Sequence, residues 1–187
     1  MRTFIAIDTG PEVANMVESI SDKLKRMGFK ASWVPRENAH LTLAFLNEVD
    51  EKKISLLGSM ILNRMRGFPP FSVKVSKFGY FRNKSLPKAF WIGFEENKHL
   101  QDLFEETKKV LESFNISIEG KFYPHITIGR MKFSPKYWEK LIQTINVEKV
   151  IIPVKELTIY ESILKKEGAI YKKRYICDFE GGLKEYD

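Results

Sequence analysis

The sequence predicts an α+β protein built as a pseudo-twofold duplication. Two lobes each contribute an antiparallel sheet to a central cleft, with helices on the outer faces. Three observations predict this. The order strand–helix–strand–helix–strand occurs twice along the 187 residues. A histidine followed two residues later by threonine also occurs twice, as His40 and Thr42 in HLTL and as His125 and Thr127 in HITI, 85 residues apart. The strands that open the two halves, aligned at Ile5 and Ile92, are 87 residues apart. Two independent landmarks with nearly equal offsets indicate internal repetition, and two long units are too few for a solenoid. The repeat units run from 1 to 82 and from 88 to 165, and a final strand at 169–179 completes one domain of two interpacked lobes.

The elements follow in order. RTFIAID (2–8) is rich in branched and aromatic residues, as strands are. From Glu12 to Met27, Val13, Met16, Val17, Ile20 and Leu24 recur at helical spacing, and Gly28 supplies a stop. ASWVP is a short extended piece, and HLTLAFL is a strand. DEKKISLLGSMILNRM reads as a helix capped by Asp50, with Gly67 beyond its end. FSVKVSKFGYF alternates as a strand, and FRNKSLPKA is a turn or exposed loop. In the second half AFWIGFEE is a strand. KHLQDLFEETKKVLESF is a helix with Leu100, Leu103, Phe104, Thr107, Val110, Leu111 and Phe114 on one face. HITIGRM is a strand. SPKYWEKLIQTI reads as a helix with Ser134 as cap and Pro135 at its first position. VIIPVKELTIYES and AIYKKRYICDF are strand-like.

Composition narrows the function classes. The net charge is +7, from 31 basic and 24 acidic residues, which favours anionic partners. A solvated lysine-rich surface of a heat-adapted chain fits the same numbers, since glutamine occurs only at Gln101 and Gln143. No stretch has the length of a membrane span, and MRTFIAIDTG reaches Asp8 too soon for a signal peptide. A single cysteine, Cys177, allows no internal disulfide. A cytoplasmic monomer is expected.

On a strand, side chains alternate between faces. His40, Thr42 and Ala44 then oppose Leu41, Leu43 and Phe45. His125, Thr127 and Gly129 oppose Ile126 and Ile128. Residues two apart sit about 6.5–7 Å apart at the backbone, so an imidazole and a hydroxyl can converge on one small ligand. A twofold places both pairs at one point. Substitution at phosphorus needs a base for the attacking water and an acid for the leaving oxygen, and histidine serves as either. The hydroxyls can donate to the non-bridging oxygens. One His-x-Thr in a strand is ordinary, but two at equivalent positions, using two of three histidines, are not. Zinc would need three or four protein ligands, and neither a cysteine cluster nor a matching carboxylate exists; no metal or cofactor is expected. No Gly-x-Ser-x-Gly elbow is present.

These residues resemble a known family. HLTL and HITI match the twin His-x-Thr-x signature of the 2H phosphoesterases. The surrounding RTFIAID, WVPRENAHLTLAFLNEV, FYPHITIGRMK and IYESILKKEGAIY are similar to the RNA 2′,3′-cyclic phosphodiesterases, also called 2′-5′ RNA ligases, nearly end to end. Asn47 departs from a frequent glycine after Phe-Leu, and Ile128-Gly129 from a usual Leu-Ala or Leu-Gly. The resemblance implies metal-independent hydrolysis of a terminal 2′,3′-cyclic phosphate on RNA to a 2′-phosphate, and weak reversible 2′-5′ joining of ends such as tRNA halves. It implies that His40 donates a proton to the leaving O3′ and His125 is the base. The near symmetry of the halves leaves that order open on physical grounds. It also implies phosphate binding by Thr42, Thr127 and Arg130. Regular alternation would send Arg130 to the back face, and a bulge at Gly129 would re-aim it.

Tyr123 and Tyr171 are candidates for stacking on a base, against the commoner role of strand aromatics in packing. His99 reads as a surface residue on a helix, and Cys177 as core. The basic run Lys172–Tyr175 either tracks an RNA backbone or protects an edge strand. Two alternatives stay open: a non-catalytic module that binds RNA ends, and a phosphodiesterase for another cyclic or 2′-5′ nucleotide.

Overall fold

The computed structural model describes residues 1–118, 121–166 and 168–186. The chain runs β1 (Arg2–Asp8), α1 (Gly10–Arg26), β2 (Lys30–Trp33), a 3-10 turn (Arg36–Asn38), β3 (His40–Glu48), α2 (Glu51–Met65), β4 (Phe71–Asn83), β5 (Leu86–Phe94), α3 (Lys98–Ser113), β6 (His125–Phe133), α4 (Trp138–Ile142), β7 (Ile151–Val154), β8 (Glu156–Lys165), β9 (Gly168–Asp178) and β10 (Leu183–Glu185).

Helix boundaries follow local chemistry. The α1 stripe Val13, Val17, Ile20 and Leu24 is buried. The helix ends where Gly28 takes φ 93°, and the Phe29 N–H reaches back to the Leu24 carbonyl. The Asp50 carboxylate accepts from Lys52 N–H and starts α2. Six of the seven residues expected on one face of α3 are buried, and the seventh, Phe114, packs partly buried against the core. Thr107 is tolerated inside because its hydroxyl donates to the Leu103 carbonyl at 2.8 Å.

The strands form two five-stranded sheets, ordered β10-β9-β8-β1-β3 and β2-β6-β5-β4-β7, with antiparallel pairing throughout. Neither sheet is built from one half of the sequence. β2 and β4, from the first half, lie in the second sheet; β8 and β9, from the second half, lie in the first. The helices pack outside, α2 against β9 and α1 against β6. A continuous apolar core joins Ile5, Leu41 and Leu57 to Phe90, Ile126 and Ile152.

Four local expectations are corrected. FRNKSLPKA is a hairpin, since β4 and β5 pair as far as Asn83 with Leu86 and Lys84 makes the turn at φ 54°. The run 150–162 is two strands: β7 pairs with β4 and β8 with β1, so the chain changes sheets at Lys155. Helix α4 begins at Trp138, not near Ser134, because Tyr137 takes a left-handed φ of 59° while Trp138 buries against Tyr80 and Phe90. The tail adds β10, whose three exposed residues carry no apolar alternation.

Candidate active site

The site grows from two irregularities in the sheets. In β3, Ala6 pairs with Thr42 but Ile5 with Ala44, so Leu43 is an extra residue. In β6, Trp91 pairs with Thr127 but Phe90 with Gly129, so Ile128 is extra. The two bulges are 85 residues apart, the offset of the histidines. A bulge re-aims every side chain after it. Ala44 therefore joins the core, and Phe45, expected beneath the sheet, is 59% exposed on the cleft side. Arg130 is turned the same way into the cleft. The bulge sits at Ile128, one residue before the expected Gly129. Glycine is needed at 129 for another reason: a Cβ there would lie 2.8 Å from the Trp33 ring.

His40, Thr42, His125, Thr127 and Arg130 line one cavity of about 830 Å³, together with Tyr123 and Tyr171. Each imidazole is fixed through Nδ1, His40 to the Asn38 carbonyl at 2.5 Å and His125 to the Tyr123 carbonyl at 2.7 Å. A carbonyl oxygen only accepts, so each Nδ1 carries the proton and each Nε2 is left to exchange one. The Asn38 side chain donates to the Ala169 carbonyl at 2.8 Å and so ties the start of β9 to the first motif.

Aromatic rings hold both imidazoles. His40 stacks on Phe4 at 4.8 Å, with Tyr171 edge-on at 5.1 Å. His125 meets the edge of Phe81 at 5.0 Å, and Trp91 and Tyr123 lie beyond. Tyr171 thus packs against its histidine, whereas Tyr123 remains 45% exposed. The Trp91 indole N–H is buried and has no acceptor among the described residues. Its ring lies against Gly79 and Gly93, where added methyl groups would overlap it.

Burial dominates the titration of both histidines. It pushes His40 down to about 4, assisted by the Arg130 and His125 charges and opposed by the Asn38 hydrogen bond and the Asp8 carboxylate. His125 is also lowered, by burial and then Arg130, against its hydrogen bond to Tyr123. The lobes differ beside the imidazoles. Asp8 pairs across from His40, but Gly93 pairs across from His125. Burial works to raise the Asp8 carboxyl, yet its bonds to Lys173 and Gly10 N–H and the nearby cations hold it below the usual carboxylate value.

Sequence reasoning missed Phe4, Phe81, Trp91, Asn38 and Asp8. Phe4 and Asp8 lie on alternate positions of RTFIAID, so the pairing of β1 with β3 was the one missing fact. His99 is exposed and stacks on Phe71 at 5.6 Å. Cys177 is buried, and burial pushes its thiol up to about 12. The Lys172–Tyr175 run is dispersed. Lys173 pairs with Asp8, Arg174 with Glu51 and Glu161, and Tyr175 is core. Asn47 has φ 57°, a left-handed conformation that asparagine and glycine share, which accounts for its standing where the family often has glycine. No group of three or more His, Cys, Asp or Glu side chains is placed to hold a metal ion among the described residues. No described helix is long and apolar enough to cross a membrane.

Two antiparallel sheets facing each other across twin His-x-Thr strands define a 2H phosphoesterase. The LigT-like phosphoesterase family model matches the chain twice, over residues 5–91 and 92–171, and the chain belongs to this family of enzymes. It is 50% identical over 186 residues, covering all of both chains, to the RNA 2′,3′-cyclic phosphodiesterase of Thermotoga maritima. It is 31% identical over 175 residues, covering 92% of this chain and 97% of the relative, to the protein of that name from Methanocaldococcus jannaschii. Among solved structures, a Thermus thermophilus protein aligns with TM-score 0.80 at 24% identity, covering 97% of this chain and 99% of the other. Escherichia coli LigT complexed with 3′-AMP aligns at 0.72 and 24%, covering 94% and 95%. At that identity both likenesses speak for the fold.

Proposed function

We propose that the protein hydrolyses the 2′,3′-cyclic phosphate at the end of an RNA to a 2′-phosphate, without a metal ion, by two-histidine acid–base catalysis. The observation that carries this reading is the matched anchoring of His40 and His125 through Nδ1 at one cavity, which leaves two Nε2 atoms for a single phosphorus. The names of the full-length relatives supply the substrate class.

His125 Nε2 takes a proton from water as its oxygen attacks phosphorus. The P–O3′ bond breaks, and O3′ takes the proton of His40 Nε2. The products are a 2′-phosphate and a free 3′-hydroxyl, and a proton passing from His125 to His40 through solvent restores the start. Thr42, Thr127 and Arg130 donate to the non-bridging oxygens, where charge accumulates. The Asp8 carboxylate favours a cationic His40, the form an acid needs, but burial outweighs it and holds His40 at about 4, so the order of roles rests on the family resemblance. With a 5′-hydroxyl in place of water the same machinery joins two ends: His125 takes the hydroxyl proton as its oxygen attacks phosphorus, O3′ leaves with the proton of His40, and a 2′-5′ linkage remains. Microscopic reversibility swaps the two roles when that linkage is cleaved.

The test is incubation with an oligoribonucleotide ending in a 2′,3′-cyclic phosphate, in excess EDTA, with the product phosphate mapped. Opening to the 2′-phosphate at an undiminished rate supports the reading. A 3′-phosphate product, or loss of activity restored by a divalent cation, contradicts it.

A further inference from the structure

Outside the cavity, the second sheet carries cations that the reaction above does not use. Lys30 pairs with Phe133 and Ala31 with Met131, so Lys132 is also an extra residue. Gly129, Ala31 and Trp33 share one face, since a Cβ on Gly129 would touch both neighbours, and Met131 and Trp33 pack on the core. Ser32, Arg130, Lys30 and Phe133 therefore occupy the opposite face, the one that Arg130 shares with the cavity. A strip leads outward from the cavity: Arg130, then Ser32, then Lys30 beside Phe133.

The strip sets an open aromatic ring beside two lysines. Phe133 is 54% exposed, and Lys30 Nζ sits over its ring at 6.0 Å. Lys132 is exposed at the bulge. Neither Lys30 nor Lys132 is in an ion pair among the described residues, whereas other surface cations such as Lys74, Arg82 and Lys98 have carboxylate partners. An open aromatic face next to unmatched cations suits one polymer well, single-stranded RNA, whose bases stack and whose phosphates pair.

We infer that this strip binds the nucleotides on the 5′ side of the terminal cyclic phosphate, an inference that rests on the RNA-end reading above. A base stacks on Phe133, and Lys30 and Lys132 contact backbone phosphates. The strip then makes the enzyme favour oligonucleotides over mononucleotides, because its contacts begin beyond the reacting nucleotide.

The experiment compares wild type, Phe133→Ala and Lys30→Ser with Lys132→Ser on two substrates: a nucleoside 2′,3′-cyclic monophosphate and a cyclic-phosphate-ended oligoribonucleotide. The expected result is about a tenfold higher KM for the oligonucleotide in Phe133→Ala, as loss of one stacked base implies, with mononucleotide kinetics unchanged. Anisotropy titration of a 2′-phosphate-ended oligonucleotide across salt concentrations reads the surface without turnover. There the lysine pair variant should lower the slope of log affinity against log salt by about 0.7 for each phosphate that a lysine no longer neutralises. Unchanged oligonucleotide KM and salt slope overturn the inference, as do equal losses on both substrates. An effect seen instead with Lys121→Ser, in the cavity wall, moves the RNA path there and also overturns it. If wild type turns over neither substrate but the titration behaves as stated, the catalytic reading fails and the binding strip stands.

Discussion

At the residue scale, the site rests on two imidazoles whose tautomers are set by their own backbones. Both histidines titrate below the ordinary value of about 6.5, chiefly through burial, with His40 at about 4. A bound phosphate anion favours the imidazolium and must raise both. The pH dependence of kcat/KM, which reports the free enzyme, should therefore form a bell centred below pH 6.5, and that of kcat should lie at higher pH. NMR titration of the histidines with and without inorganic phosphate checks the same point. Arg130→Ala removes a cation that depresses both groups, so both should titrate higher in the variant. Phosphate affinity should fall by about tenfold, as loss of a charge-assisted bond implies. Twin pairs at equal spacing made these residues legible in the sequence. The support of Asp8 for His40 was not, because it depends on which strands pair.

At the element scale, the bulges decide what reaches the cleft. Strict alternation gives Leu41 and Ile126 correctly but misplaces Ala44, Phe45 and Arg130, since one inserted residue reverses every later side chain. Long helices with a clear apolar stripe and glycine stops were readable from local spacing alone. The short α4 was not, because Ser134 and Pro135 supply a start signal that burial of Trp138 overrides. Likewise no local signal at Lys155 tells β7 from β8. Packing under His125 offers a test at this scale. A methyl group on Gly79 would overlap the six-membered ring of buried Trp91. Gly79→Ala should cost roughly 1–3 kcal/mol of stability, as overpacking does, and lower kcat by displacing the rings around His125. Thermal unfolding and steady-state kinetics on the same variant check both effects.

At the scale of the whole molecule, the exchange of strands between sequence halves locks the sheets together. Removing either half would leave β8 without β1, or β5 without β4. The duplication could be read from the sequence, but the exchange could not, because β4 and β8 have the same local pattern whichever sheet they join. Unfolding should consequently be a single transition. Its two reporters already exist: Trp33, Trp91 and Trp138 belong to the second lobe, whereas Cys177 is buried in the first. In urea, tryptophan fluorescence and thiol reactivity should change with one midpoint; separate midpoints would show lobes of independent stability.

The most direct measurement is the rate of opening of a 2′,3′-cyclic phosphate on RNA by His40→Ala, His125→Ala and the double variant, each with wild-type circular dichroism. Each single change should slow the reaction about 10²–10⁴-fold, and the double change should cost less than the product of the two, because acid and base act on one phosphorus. Either single variant at close to the wild-type rate would contradict the account.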